Sequence, residues 1–179
     1  MSNNLFSIII PAYSEEENIN DLLVEIEKTF KDEVDLEIIL VDDGSPVSLE
    51  DVIKKSEYKL NIQIVTNGYN LGQSKSIEVG LKNSNGDVIG MIDADCQNPP
   101  KELKKLYDYF IVNNFDAIIS YRKNRKDEFL RKIVSRLANF ILKIFTKSKF
   151  KDLGSSLKVI KRECLESLTF KGDMHRFIS

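Results

Sequence analysis

The chain has 179 residues, of which 42% are hydrophobic and 30% charged, and its formal net charge is -2. That length suits one domain, residues 1–179, which buries about two thirds of its unfolded surface and needs no covalent staple. A charge so close to neutral offers no field for nucleic acid, and two distant cysteines, Cys96 and Cys164, make neither a disulfide framework nor a zinc site.

Cysteine usage of this kind reads as a reducing cytoplasm. Met1 to Phe6 is too short and polar for a signal peptide. No apolar run reaches the roughly 18 residues that a spanning helix needs. The chain stops at Phe177-Ile178-Ser179 without a polar tail, which reads as a piece of a longer protein with room for C-terminal transmembrane helices.

Strands and helices alternate from the start. Phe6 to Ile10 is a β-branched run ended by Pro11, as a buried strand would be. Ser14 and Glu17 have the spacing of a capping box, and Ile19, Leu22, Leu23, Ile26 and Phe30 line one face of the helix that follows. Leu36 to Val41 is a second strand, stopped by Asp42-Asp43-Gly44-Ser45-Pro46, and a short helix covers Leu49 to Lys55. Ile62 to Val65 is a third strand. The loop Asn67 to Gly72 leads into a helix over Ser74 to Lys82, and Val88 to Ile92 is a fourth strand. Pro99-Pro100 starts a helix through Phe110, since proline fits a first turn. Ala117 to Ser120 and Leu157 to Ile160 are further short strands.

The strands are apolar without strict alternation, as strands covered on both faces are. This predicts an α/β fold, a Rossmann-like, mostly parallel sheet with helices on both faces. Ligands bind such sheets at the carboxyl ends of the strands. The polar clusters Pro11 to Ser14, Asp42 to Ser45 and Asp93 to Gln97 sit at those ends.

In Asp93-Ala94-Asp95-Cys96-Gln97, two carboxylates two residues apart repel each other unless a cation sits between them. A hard divalent ion suits these oxygens, and the amide oxygen of Gln97 could be a third ligand. The competing reading is a polar turn with Asp95 capping a helix. An acid at the end of the second strand, Asp42, can accept from ribose hydroxyls or a base edge; otherwise it belongs to an Asp-Gly turn. Tyr13 can stack on a base, and the Asn70 to Gln73 loop either approaches a ligand or only turns the chain. Cys96 is expected beneath the site.

The ordered series Ile10-Pro11-Ala12-Tyr13-Ser14-Glu15, Val41-Asp42-Asp43-Gly44-Ser45, Asn70-Leu71-Gly72 and Asp93-Ala94-Asp95-Cys96-Gln97 resembles family 2 glycosyltransferases of the GT-A fold. The Asp-Ala-Asp-x-Gln form, with Asp152 to Ser156 and His175-Arg176-Phe177, is similar to the branch that acts on polyprenyl phosphates. The resemblance implies a nucleotide-diphosphate sugar donor and a lipid-phosphate acceptor. It implies that Asp93, Asp95 and Gln97 hold Mg²⁺ or Mn²⁺ against the diphosphate and that Pro11, Tyr13, Glu15, Asp42 and Asp93 line the donor pocket. It implies that Arg131 and Ser135 meet the acceptor phosphate together with Arg122, His175 and Arg176, although Tyr121 interrupts the usual Ser-Arg pair before Arg122.

Glu128 to Lys147 reads as a basic amphipathic helix, suited either to an anionic membrane surface or to packing in a core. With it the expected location is the cytoplasm, peripheral to the inner face of a membrane. A phosphate acceptor is anionic at neutral pH and needs no general base; Asp152 is the candidate if one is required. Three other functions compete: transfer to a hydroxyl of a surface glycan, a nucleotide-binding fragment without turnover, and a receiver-like signalling domain with Lys123 near its acids. The donor base, the sugar and the oligomeric state are not written in the sequence.

Overall fold

The computed structural model describes residues 5–31, 33–120 and 157–166. Six strands form one sheet in the order β3-β2-β1-β4-β6-β5. They are β1 (Phe6–Ala12), β2 (Leu36–Asp42), β3 (Asn61–Thr66), β4 (Val88–Met91), β5 (Ala117–Ile119) and β6 (Lys158–Lys161). The helices are α1 (Ile19–Phe30), α2 (Leu49–Ile53), α3 (Gln73–Asn83), α4 (Pro100–Asn113) and α5 (Arg162–Glu166). β1 pairs in parallel with β2 and β4, and β2 with β3; β6 lies antiparallel between β4 and β5.

Side chains alternate along the strands, and β1, β2 and β4 are covered on both faces, whereas β3 leaves Asn61, Gln63 and Thr66 exposed. Ile8, Ile10, Ile38, Leu40 and Val159 pack with α1, α2 and α4. Ile9, Ile89, Met91 and Ile160 pack with Ile77 and Leu81 of α3 and Leu165 of α5. The near-continuous apolar runs of β1, β2 and β4 are the consequence of this double burial, as the sequence predicts. The apolar face expected for α1 is the buried one.

The start of α1 departs from expectation. Ser14 does not cap it: the helix begins at Ile19 with Asn18 as its N-cap. Ser14 lies at φ 56°, and its backbone N–H donates to Ser45 Oγ at 3.1 Å. That contact between loops takes Ser14 out of the helix, and the Glu15 carbonyl accepts from Asn18 N–H and Ile19 N–H in the intervening turn.

A buried polar cluster ties the sheet together at the amino ends of its strands. Glu37 accepts from Ser7 Oγ, the backbone N–H groups of Asn85 and Gly86, and Asn85 Nδ2. Arg162 donates to the Gly86 and Leu81 carbonyls and to Ser84 Oγ. A Cβ on Gly86 would stand 2.4 Å from both Leu5 O and Ser7 Oγ, so the chain crosses here with no room for a side chain.

Burial pushes the Glu37 carboxyl up, but the donors from Ser7, Asn85 and Gly86 outweigh it and hold it below the ordinary value of 4.5. A carboxyl depressed on folding stabilises the fold above its unfolded pKa, and that gain is lost as pH falls through the folded value. Glu37→Gln is therefore expected to lose about 1–3 kcal/mol of stability at neutral pH, with the gap to wild type closing in acid below 4.5. Urea unfolding at both ends of this range checks it; a gap independent of pH would show that ionisation carries no advantage.

Candidate functional site

The chain leaves β1 towards β2 but leaves β4 towards the opposite edge of the sheet. The two adjacent strands thus send their following loops apart. A crevice opens where strand order reverses in this way. Here it is a cleft of about 260 Å³. Pro11, Ala12, Tyr13 and Glu15 line it from the end of β1, and Asp93, Ala94 and Asp95 from the end of β4. Asp43, Asn70, Gly72, Gln73 and Ser76 complete its wall.

Ala94 is buried in the core, while Asp93 and Asp95 on either side of it are half-buried in the cleft wall. One buried methyl thereby anchors a pair of carboxylates. Gln73 Nε2 donates to Asp93 Oδ1 at 2.7 Å, and Gln97 N–H donates to Asp95 Oδ1 at 3.1 Å. The Gln97 side chain is exposed and does not line the cleft.

Two carboxylates in one wall are an oxygen donor set that fits Mg²⁺ or Mn²⁺, provided that a ligand's oxygens and water supply the remaining positions. Among the described residues, no group of three or more His, Cys, Asp or Glu could hold a metal ion. A cation on this pair would draw its further ligands from water or a bound anion.

The two aspartates after β2 have different environments. Asp42 is 1% exposed, and its oxygens accept from Ser45 N–H at 2.9 Å and Leu49 N–H at 3.3 Å. It holds the turn into α2 and sits behind the cleft, whereas the sequence places it in the donor pocket. Asp43 reaches the wall instead. Its carboxylate accepts from Asn67 Nδ2 at 2.7 Å, Leu71 N–H at 3.0 Å and Gly72 N–H at 2.8 Å. Gly44, next in the chain, has φ +75°, and a Cβ there would stand 2.7 Å from the Tyr69 backbone. The loop before α3 is thus clamped by Asp43 and seated against Gly44.

Tyr13 is 47% exposed at the cleft, with its ring open to a stacking partner. Glu15 accepts from Asn18 Nδ2 at 2.7 Å, which fixes its carboxylate in the wall. Cys96 is exposed, not beneath the site as the sequence suggests, because a turn at φ 54° rotates it outward. Burial of the thiol itself, with Asp21, Asp95, Glu25 and Glu15 nearby, pushes it up, away from a reactive thiolate.

Lys158 on β6 is the residue that sequence reasoning missed. It is 3% exposed; burial pulls its ammonium down to about 8, against the raising effect of Asp93. A lysine inside an apolar strand was the available signal. Arg122, Arg131, Ser135, Asp152, His175, Arg176 and the basic segment 128–147 lie outside the described residues, as does Lys123.

Residues 7–169 match the profile of glycosyl transferase family 2. The chain belongs to that family. It is 32% identical over 178 residues to the dodecaprenyl-phosphate galacturonate synthase of Rhizobium johnstonii, covering 96% of this chain and 52% of that protein. It is 36% identical over 166 residues to the undecaprenyl-phosphate 4-deoxy-4-formamido-L-arabinose transferase of Photorhabdus laumondii, covering 90% of this chain and 50% of that one. The chain thus spans about half the length of the curated relatives it matches.

Among solved structures, the mannosyltransferase PcManGT from Pyrobaculum calidifontis, in complex with GDP-Man and Mn²⁺, superposes with a TM-score of 0.68 at 18% identity, covering 93% of this chain and 47% of that one. Glucosyl-3-phosphoglycerate synthase of M. tuberculosis gives a TM-score of 0.70 at 22% identity, covering 92% and 60%. These likenesses establish the GT-A fold of this family 2 domain.

Gly44→Ala is expected to cost more than about 2 kcal/mol, since a left-handed backbone and a clash with backbone atoms add. Urea unfolding checks it; a loss under about 1 kcal/mol would mean that the Tyr69 segment gives way.

Proposed function

We propose that this family 2 domain transfers a sugar from a nucleoside-diphosphate sugar to a polyprenyl phosphate, with inversion at the anomeric carbon. The observation that carries this reading is the pair Asp93 and Asp95 in one wall of a cleft at the strand-order reversal. The names of the relatives, which act on dodecaprenyl and undecaprenyl phosphates, support the acceptor. The Mn²⁺ and GDP-Man in PcManGT support a metal and a nucleotide donor.

In this mechanism Tyr13 stacks on the base, and Pro11 and Glu15 shape the pocket around the nucleotide. Asp93 and Asp95 in the cleft wall would hold Mg²⁺ or Mn²⁺. The ion, when bound, supplies positive charge against the departing diphosphate. A phosphate oxygen of the acceptor attacks the anomeric carbon in line. Its bond to that carbon forms as the bond to the diphosphate breaks, and the diphosphate leaves with the electron pair. The attacking oxygen carries no proton, so no general base takes part. Arg131 and Ser135, with Arg122, His175 and Arg176, are the proposed partners of the acceptor phosphate. The acceptor's lipid places the working enzyme at the inner face of a membrane. Among the described residues, no helix is long and apolar enough to cross one.

Calorimetric titration with UDP and with GDP, each with and without Mn²⁺, tests the donor site. One nucleotide should bind only with the metal, and Asp95→Asn should weaken it by about tenfold or more. Equal binding without metal, or in the variant, would overturn the site. Sugar transfer by Asp152→Asn separates the acceptor classes. Turnover within about twofold of wild type is expected for a phosphate acceptor, and loss of about a hundredfold would point to a hydroxyl that needs a base.

A further inference from the structure

Lys158 is a buried cation that the proposed mechanism does not use. Burying an ammonium is unfavourable unless an anion faces it. Its position in the sheet brings one anion, Asp93, close to it. β4 and β6 run antiparallel with Met91 opposite Lys158, and residues directly opposite share a face of the sheet. Met91 packs on the α3 face. Asp93 follows two residues later, diagonal to Lys158, a separation that a long side chain spans. Gln73, the first residue of α3, already donates to Asp93 Oδ1 at 2.7 Å. The Asp93 carboxylate in turn acts on the Lys158 ammonium. Lys158, Gln73 and Asp93 therefore converge at the carboxyl end of β4.

We propose that Lys158 is a positioning residue that fixes Asp93 in the cleft wall and screens its charge, so that the Asp93–Asp95 pair takes a divalent cation weakly by itself and tightly only together with a diphosphate. The inference rests on the cation site proposed above. With Lys158 beside Asp93, the three groups Asp93, Asp95 and Lys158 carry one net negative charge where the two carboxylates alone would carry two, and a lone cation gains correspondingly less from them. A diphosphate brings back the missing negative charge and adds oxygen ligands. Donor and metal then enter as one unit, and the empty cleft does not hoard metal. Gln73 and Lys158 together also hold Asp93 when no cation is present, which keeps two like charges from driving each other out of the wall.

Two measurements on the intact protein test this. The first contains no metal: a double-mutant cycle of Asp93→Asn and Lys158→Met by urea unfolding. The double variant should lose less stability than the two single losses added together, and additive losses would overturn the pairing. The second is titration with Mn²⁺ alone. Lys158→Met should bind it on the order of tenfold more tightly than wild type, and Lys158→Arg, which keeps the charge, should stay near wild type. Equal or weaker binding by a folded Lys158→Met, or tight binding by both variants, would overturn the screening role. Failure of the proposed donor site has a different signature, the absence of Mn²⁺-dependent nucleotide binding by wild type, and the metal-free cycle is independent of it.

Discussion

The reversal of strand order between β1 and β4 governs the rest of the site. Two parallel strands lie side by side, yet the chain after one crosses to the left of the pair and after the other to the right. No single connection can cover both carboxyl ends, so the crevice is a topological necessity. Everything polar in the cleft is placed by that fact. Pro11 to Glu15 and Asp93 to Asp95 come from the two diverging ends, and the loop before α3 closes one side. The position of the acids follows from the order in which the chain lays down its strands.

The two ends of the same sheet treat carboxylates in opposite ways. At the amino ends, Glu37 is 5% exposed and surrounded by fixed donors from Ser7, Asn85 and Gly86. Its charge is satisfied within the fold, so it stabilises and has nothing left to offer a ligand. At the carboxyl ends, Asp93 and Asp95 are only half-buried and line the cleft, with Gln73 Nε2 donating to the first and Gln97 N–H to the second. A carboxylate satisfied by protein is structural, whereas one that meets solvent in a wall can exchange water for a ligand. Asp42 and Asp43 repeat the contrast between adjacent residues, with the first turned into the α2 turn and the second onto the cleft.

Much of this was legible in the sequence, for reasons that are local. Double burial writes continuous apolar runs, and α1 writes its buried face at spacings of three and four, so the elements and the covered sheet could be read directly. The acids stand at strand ends, and their ordered motifs gave the family. Distant contacts were not legible. A Ser14–Glu17 spacing suits a cap, but the bond from Ser14 to Ser45 bridges 31 residues and overrides it. Which of two neighbouring aspartates enters a cleft depends on turn dihedrals, not residue type. Lys158 is written as a charge in an apolar strand; its meaning appears only once β6 is paired to β4.

That pairing has a consequence for how the molecule comes to be made. β5 is joined to the sheet through β6, and β6 is what connects it to β4. On the ribosome, the unit from β1 through α4 has its parallel pairings and helical cover available from residues 6 to 113 alone. Among the described strands, β5 then has none to receive it until residues 158–161 arrive about forty positions later. β6 inserts as a wedge between β4, already paired with β1, and the waiting β5, a long loop closure that is slow to form. The cleft's two acids are thus in place before the strand that brings Lys158 against them.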